Sequence, residues 1–210
     1  MLTILAHRGF WEKPEEKNSP AALRRALSEG FGVETDLRDA ARQLVIAHDP
    51  AGPGAQPVDE FFAAYAETKS TAALALNMKA DGLRSLLKTL LRKHGIKNYF
   101  CFDMSAPETL GCARDGLRFF TRESEIETAP VLYNEAAGVW LDMFKSDWVT
   151  PGVIEKHLQA GKEAALVSPE LHQRPHLPFW NALRAAGLGK NSSVLLCTDH
   201  PREARAFFHD

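Results

Sequence analysis

Two acidic residues near the start of the chain are separated by a single residue. Glu34 and Asp36 lie in the apolar stretch FGVETDL, which predicts a β-strand, so both side chains point to one face and Thr35 to the other. Two carboxylates at one spot repel each other unless a cation lies between them or one takes a proton. A divalent cation, Mg²⁺ or Ca²⁺, suits carboxylate oxygens. The alternative is solvation at a hairpin end or pairing with Arg38 and Arg42.

Two histidines follow other apolar stretches. His7 ends LTILAH and His48 ends LVIAH, so each imidazole is expected at the end of a strand. Beside a metal ion, one imidazole can take a proton from an attacking oxygen while the other delivers a proton to the leaving oxygen. A phosphodiester fits such a site, because a cation offsets the charge that grows on its non-bridging oxygens.

Short apolar stretches alternate with amphipathic ones along most of the chain. Nine stretches are typical of strands, and segments such as SPAALRRALSEG between them have helical spacing. The short segment DAARQ between the second and third stretches predicts a hairpin, and the Pro/Gly-rich DPAGPGAQP a loop. The pattern predicts an α/β fold, a (β/α)8 TIM barrel with a short hairpin arm after strand 2. An open doubly wound sheet is the alternative, but its glycine-rich GxGxxG turn is missing.

Polar or ionisable residues follow nearly all of the predicted strands. In a parallel barrel the carboxyl ends of the strands lie on one face, where active sites are built. Such a face would combine histidines, carboxylates, an arginine and a lysine in one mixed-charge cavity. Besides the residues above, we expect there Arg8, Asn77, Lys79, Asp103, Arg122 and Glu170.

The composition favours a globular protein without an electrostatic signature for nucleic acid. Of the 210 residues, 45% are hydrophobic, which suffices for one core, and we expect a single domain over residues 1–210. The net charge is -2, and acidic and basic residues are interspersed along the chain. We therefore do not expect nonspecific binding to nucleic acid or to an anionic membrane. The start MLTILAHRG has only a short apolar stretch before charged residues, so we expect neither a signal peptide nor a membrane span. The three cysteines are far apart in the sequence, which favours a reducing, cytoplasmic location.

The first quarter of the chain resembles the glycerophosphodiester phosphodiesterase family in four motifs, which here read AHRG, KNSPAAL, VETDL and IAHD. In that family the pattern runs H-R-G, P-E-N-T-x-x-A, E-x-D and H-D. The resemblance implies a (β/α)8 barrel in which His7 and His48 are the acid–base pair. It also implies that Glu34 and Asp36 hold a divalent metal and that Arg8 contacts phosphate.

Several positions depart from the pattern of that family. Its third metal-binding glutamate, in E-x-K, is replaced by Asn77, while the lysine persists as Lys79. An amide oxygen can bind a hard cation but adds no charge, so metal affinity should be weaker. Asp103 is a candidate to supply the missing charge. Lys17 replaces the glutamate of P-E-N-T. The segment after His48 is too short for the small insertion domain that many members of the family carry, so the mouth of the barrel should be more open.

Further side chains are candidates for substrate contacts. Arg8, Lys79 and Arg122 would add positive charge for a phosphate, with arginine able to grip two oxygens. Glu170 and His172, in SPELHQR, would bind a hydroxyl of the head group. Salt bridges within the barrel rim are the alternative for Lys79, Arg122 and the SPELHQR residues.

Three functions follow from these residues. The preferred one is a metal-dependent phosphodiester hydrolase that acts on a small-molecule or lipid-derived phosphodiester. The second is a lyase resembling the phospholipase D toxins, in which a hydroxyl of the substrate itself attacks and a cyclic phosphate is released. The third is a non-catalytic protein that binds phosphoesters and has lost its metal. This alternative is suggested by Asn77, which replaces a metal-binding glutamate of the family.

Overall fold

The structure is a computed structural model that describes residues 1–209. The ten strands in this range are β1 (Thr3–His7), β2 (Gly32–Ala40), β3 (Gln43–Ile46), β4 (Gln56–Pro57), β5 (Leu74–Met78), β6 (Tyr99–Phe102), β7 (Phe120–Glu123), β8 (Gly138–Leu141), β9 (Glu163–Val167) and β10 (Val194–Thr198). The seven α-helices in this range are α1 (Pro20–Ser28), α2 (Val58–Glu67), α3 (Arg84–Lys93), α4 (Ala106–Asp115), α5 (Pro151–Gln159), α6 (Leu177–Ala185) and α7 (Pro201–His209). Short 3₁₀ helices cover Pro14–Glu16, Pro169–His172 and Leu188–Lys190.

The chain groups into two compact units. The amino-terminal unit comprises Ala6–Phe119, and the carboxy-terminal unit comprises Met1–Leu5 together with the residues from Phe120 onward. Strand β1 is divided between them, so that His7, at its end, belongs to the amino-terminal unit. The expectation of a single domain over residues 1–210 stays a prediction.

Strand β2 of the amino-terminal unit has both parallel and antiparallel partners. It pairs in parallel with β5, which pairs in parallel with β6. It also pairs antiparallel with β3, with Leu37 opposite Ile46, and this confirms the predicted hairpin arm. Strand β4 extends the arm by pairing with β3, although its sequence was expected to be a loop. A two-residue strand ending at Pro57 is too short to show an alternating pattern.

The carboxy-terminal unit contains a parallel ladder. Strand β7 pairs with β8, β8 with β9, and β9 with β10. The nine apolar stretches therefore correspond to strands, and the predicted alternation of parallel strands with helices is confirmed except between β7 and β8, where residues 124–137 form no helix.

Local capping fixes where several helices begin. Ser19 precedes α1 and its Oγ accepts a hydrogen bond from the Ala22 N–H, while Pro20 occupies the first helical position. Ser105 caps α4 in the same way. Because α1 begins at Pro20, the cap also fixes the chain next to Asn18. Within residues 1–209, the helices are all too short or too polar to cross a membrane.

Candidate active site

Seven of the predicted site residues lie together in the amino-terminal unit, linked by direct contacts. They occur on β2 and at or just after the carboxyl ends of β1, β5 and β6. We call them the site cluster: His7, Arg8, Glu34, Asp36, Asn77, Lys79 and Asp103.

The two acidic residues of β2 are buried and paired with cations from other segments. Glu34 is 2% exposed and Asp36 is 0% exposed. One oxygen of Asp36, Oδ2, lies 3.1 Å from Arg8 Nε and accepts a 2.7 Å hydrogen bond from Asn18 Nδ2. The other, Oδ1, lies 3.4 Å from Lys79 Nζ. The two carboxylates are therefore buried rather than solvated. The cations that pair with Asp36 are Arg8 and Lys79, and not the arginines of the hairpin.

Glu34 has a less compensated environment than Asp36. Its Oε2 accepts a 3.1 Å hydrogen bond from the backbone N–H of Arg8 and lies 4.0 Å from His7 Nε2. Burial, followed by repulsion from Asp36, raises the pKa of Glu34 to about 7, although His7, Arg8 and Lys79 act in the opposite direction. Near neutral pH this carboxyl is therefore poised between its two forms, and a nearby cation would favour the charged one.

Two buried oxygens of the site cluster lack a hydrogen-bond partner among residues 1–209. They are Asp36 Oδ1 and Asn77 Oδ1. Asn77 Nδ2 lies 3.5 Å from Glu34 Oε1, which places the amide beside the carboxylates. The Lys79 ammonium faces Asp36 Oδ1 at 3.4 Å, whereas Asn77 Oδ1 is a buried acceptor, which is unfavourable unless an ion or water reaches it. Together with Glu34 they form a donor set that fits a hard divalent cation.

A metal ion bound at this place would have an amide oxygen as well as carboxylate oxygens as its ligands. Within the described range, no group of three or more His, Cys, Asp or Glu side chains is arranged to hold a metal ion. Asp103, the candidate for the missing charge, contacts Lys79 Nζ at 3.4 Å through Oδ2. A role for Asp103 as a ligand stays a prediction.

Three residues around the site have left-handed backbone conformations. The φ angles are 57° for Arg8, 61° for Asn18 and 68° for Asp103. Such conformations cost about 1–3 kcal/mol each for non-glycine residues and concentrate at functional sites. The backbone N–H of Asn18 donates to the Arg8 carbonyl at 2.8 Å, which joins two of these positions.

Asn18 is a site residue that the sequence reasoning did not select. It donates to Asp36 and accepts a 2.8 Å hydrogen bond from Thr35 Oγ1. It therefore orients one carboxylate of β2 and fixes its own amide at the same time. The available signal was the motif KNSPAAL, in which the asparagine of the P-E-N-T pattern persists.

His48 is joined to the site cluster through the backbone. The Ala47 N–H donates to the Asp36 carbonyl at 3.1 Å, and Arg38 Nε donates to the His48 carbonyl at 3.0 Å. The imidazole is 44% exposed and its Nδ1 lies 3.0 Å from Asp49 Oδ1. Its proton-transfer role stays a prediction.

The three remaining candidates, Arg122, Glu170 and His172, lie in the carboxy-terminal unit and contact their own neighbours. His172 Nε2 lies 2.7 Å from Asp142 Oδ1. Arg122 Nε pairs with Glu127 at 2.7 Å, as the rim salt-bridge alternative expects. Glu170 accepts hydrogen bonds from the hydroxyls of Ser168 and Thr198, the latter at 2.5 Å. Glu170 therefore ties the ends of β9 and β10 together. Substrate contacts by Arg122, Glu170 and His172 stay predictions.

Comparison with known proteins gives structural matches. No protein-family model and no curated protein matches the sequence. A proposed glycerophosphodiester phosphodiesterase from Galdieria sulphuraria superposes with a TM-score of 0.76 at 17% identity, covering 100% of this chain and 98% of the other. The glycerophosphodiester phosphodiesterase of Agrobacterium tumefaciens strain C58 has a TM-score of 0.68 at 19% identity, with coverages of 98% and 100%.

A third match is a phosphodiesterase whose structure includes a reaction product. This Oleispira antarctica protein, in complex with the product sn-glycerol-3-phosphate, has a TM-score of 0.70 at 15% identity, covering 99% of this chain and 97% of the other. The three matches span nearly the whole of both chains. The predicted barrel is therefore confirmed, and the chain has the (β/α)8 fold of the glycerophosphodiester phosphodiesterases.

Proposed function

We propose that this chain is a metal-dependent phosphodiester hydrolase. The observation that carries the proposal is the buried pair Glu34 and Asp36, which shares one cluster with Arg8, Lys79 and His7. The fold and the four sequence motifs support the same activity. The product in the Oleispira antarctica structure makes small glycerol phosphodiesters, free or derived from lipids, the first substrates to test.

Three side chains would hold the metal, Mg²⁺ or Ca²⁺. They are Glu34, Asp36 and Asn77, with Asp103 as a further candidate near Lys79. When bound, the cation supplies positive charge that stabilises the non-bridging oxygens of the phosphate. A donor set with one neutral amide predicts weaker cation binding than three carboxylates would give.

Arg8 and Lys79 would orient the phosphate. Arg8 is held by Asp36 at its Nε, so its guanidinium approaches the substrate from a fixed position. Lys79 lies between Asp36 and Asp103, 3.4 Å from each, and acts as a point charge. Both side chains are mostly covered, which strengthens their interaction with an anion.

His7 and His48 would exchange protons with the reacting oxygens. One imidazole removes the proton from the attacking water, and the other protonates the alkoxide that leaves. His7 is positioned from both sides, because its backbone carbonyl accepts a 3.1 Å hydrogen bond from Trp11 Nε1 and its ring lies near Glu34. The exposed ring of His48 can turn toward a substrate without breaking a buried contact.

Replacement of each histidine tests the assignment. We expect His7→Ala and His48→Ala each to abolish hydrolysis of bis(p-nitrophenyl) phosphate and of glycerophosphodiesters, while circular dichroism and thermal unfolding stay close to wild type. His94→Ala is a matched control, because His94 bonds Asp59 outside the site cluster. Undiminished turnover in either site variant would remove that residue from the mechanism.

The identity of the product separates hydrolysis from the lyase reaction. Phosphorus NMR of the reaction mixture should show a phosphomonoester from the first turnovers. A cyclic phosphate as the initial product would instead establish attack by a hydroxyl of the substrate.

One observation favours a second function, binding of phosphoesters without turnover. The ammonium of Lys79 already lies 3.4 Å from Asp36 Oδ1, and Asn77 adds no charge for a metal. A binding protein of this kind would hold a phosphoester equally well with and without chelator and would turn over none of the substrates. Calorimetric titration with and without EDTA, in parallel with the assay, distinguishes the two functions.

A further inference from the structure

A cavity of the amino-terminal unit lies where helices α3 and α4 end. Its volume is about 380 Å³, which is within the size of cavities that bind small molecules. Tyr99, which lines it, is the first residue of β6, whereas Asp103 of the site cluster follows the last residue of that strand. The cavity therefore lies at the other end of the strand from the site cluster, away from the place where the phosphodiester is proposed to bind.

The inner wall of the cavity is apolar. It is lined by the side chains of Leu91, Ile96 and Leu117, each at most 5% exposed, and by half-buried Tyr99. Burial raises the pKa of Tyr99 above its ordinary value of 10.0, so the hydroxyl keeps its hydrogen and can donate it to a ligand. An apolar group of a ligand would gain free energy by leaving water for this wall.

Three basic side chains line the same cavity, and no acidic side chain of the described residues lines it with them. They are Lys88 and Arg92 of α3 and Lys97 of the following loop. Lys88 Nζ donates to the backbone carbonyl of Asp115, which is a neutral acceptor, so the charge of the ammonium is not cancelled. The carboxylate of Asp115 pairs instead with Arg84, at 2.6 Å. The cavity therefore has an excess of positive charge, which favours an anion.

Two glycines leave open space beside the cavity. Gly95 and Gly116 both line it, just after α3 and α4, and a Cβ on either would meet no atom within 4 Å. The Gly95 N–H donates to the Arg92 carbonyl and the Gly116 N–H to the Ala113 carbonyl, each at 3.2 Å. Such bonds satisfy carbonyls at the helix ends, which would otherwise repel an anion. A flat group can therefore lie against bare backbone at these two turns.

We propose that this cavity binds an amphipathic anion, a planar apolar group that carries a phosphate or a carboxylate. The planar group packs on the apolar wall, and the anionic group pairs with Arg92 and Lys97 at the rim. The hydroxyl of Tyr99 donates a hydrogen bond to the ligand. The inference does not depend on phosphodiester hydrolysis, because every residue that it uses lies outside the site cluster.

Titration with naphthalene derivatives tests the proposal. Naphthyl phosphate and naphthoate are added separately to the full chain in EDTA, while the NMR signals of the Gly95 and Gly116 amides and of the Tyr99 ring are followed. We expect saturable shifts of these signals with a Kd on the order of 0.1 mM. Binding of only one probe would still support the proposal and would assign the cavity to phosphates or to carboxylates. Naphthol and inorganic phosphate each lack one half of the ligand and should bind about tenfold more weakly or less.

Charge reversals at matched positions separate this cavity from the rest of the surface. Arg92→Glu and Lys97→Glu should each weaken binding of the probes about tenfold or more, because each replaces an attractive charge by a repulsive one. Arg24→Glu makes the same change at an exposed arginine of α1 that does not line the cavity, and should leave the Kd within about twofold. Circular dichroism verifies that all three variants are folded.

Four results would overturn the proposal. The first is the absence of saturable shifts at Gly95, Gly116 and Tyr99 in folded wild type with either probe. The second is binding of the probes by Arg92→Glu as tightly as by wild type, and the third is binding of naphthol as tightly as the anions. The fourth is a set of shifts confined to residues of the site cluster, which would place the anion in the proposed catalytic site and leave phosphodiester hydrolysis untouched.

Discussion

At the scale of single residues, the chemistry of the site depends on one amide. Asn77 lies beside Glu34 and has a buried oxygen without a partner in the described structure. The charge available to a metal therefore comes from two carboxylates, one of which, Glu34, has a pKa of about 7. Metal affinity should respond strongly to a single added charge at this position.

Asn77→Asp should strengthen cation binding. The new carboxylate has nearly the shape of the amide and adds a negative charge beside Glu34, at the buried Oδ1 position that has no hydrogen-bond partner within residues 1–209. We expect Mg²⁺ or Ca²⁺ to bind about tenfold more tightly, or about 1.4 kcal/mol, by isothermal titration calorimetry at pH 8. Asn98→Asp, whose amide bonds the Thr71 carbonyl away from the site, is the control. Equal affinities for wild type and Asn77→Asp would place the metal elsewhere.

The residue types of the site could be predicted because they follow apolar stretches at short, regular spacings. The contacts between these residues could not be predicted, because the partners come from distant segments of the sequence. Asp36 pairs with Arg8 and Asn18 and not with the nearby arginines of the hairpin. Glu170 illustrates the same limit. Its hydrogen bonds to Ser168 and Thr198 join two strand ends that are 30 residues apart in the sequence.

At the scale of elements, the turn after β1 positions the site. Arg8 and Gly9 both have positive φ, at 57° and 84°, and the chain then passes close to α1. A Cβ on Gly9 would lie 2.8 Å from the Ala22 carbonyl carbon and 2.9 Å from the Leu23 nitrogen. The glycine of HRG is therefore required for the approach of this turn to the helix, which keeps the Arg8 side chain at Asp36.

Gly9→Ala should destabilise the protein more than Gly30→Ala does. Both glycines have positive φ, but a Cβ on Gly30 would meet no atom within 4 Å. Gly30→Ala should therefore cost about 1–2 kcal/mol from backbone conformation alone. Gly9→Ala adds a clash with helix backbone that cannot move aside easily. Urea denaturation measures both free energies of unfolding, and equal losses would mean that the turn does not need the close approach.

Element types were predictable where hydrophobic periodicity extends over several residues. All nine apolar stretches form strands, and the hairpin was expected from the brevity of DAARQ. Strand β4 was missed because Gln56 and Pro57 pair with β3 only in the folded chain. Such pairing is a tertiary effect that local sequence does not encode.

At the scale of the whole molecule, burial of Glu34 couples stability to pH. Its folded-state pKa of about 7 lies above its ordinary value of 4.5. Between these values the folded state binds more protons than the unfolded state, so the free energy of unfolding falls as pH rises. Below about pH 4.5 both states are protonated, and the contribution of this group to the pH slope vanishes.

Chelated protein should lose stability between pH 5 and pH 7.5, by about 2 kcal/mol for this group alone. Urea denaturation at the two pH values measures the loss. Glu34→Gln should remove most of the slope, because it cannot ionise. Saturating Mg²⁺ or Ca²⁺ should restore stability at the higher pH by binding the folded state. A slope that is unchanged in Glu34→Gln would assign the effect to other groups.

The most direct test of the proposed activity is the cation dependence of phosphodiester turnover. Wild-type protein freed of metal with EDTA is assayed by phosphorus NMR on a panel of glycerophosphodiesters, before and after Mg²⁺, Ca²⁺ or Mn²⁺ is added. The account predicts no turnover in chelator and phosphomonoester formation when a cation is restored, with no activity in His7→Ala under either condition. Turnover that persists in chelator, or chelator-insensitive phosphoester binding without turnover under every cation, would contradict it.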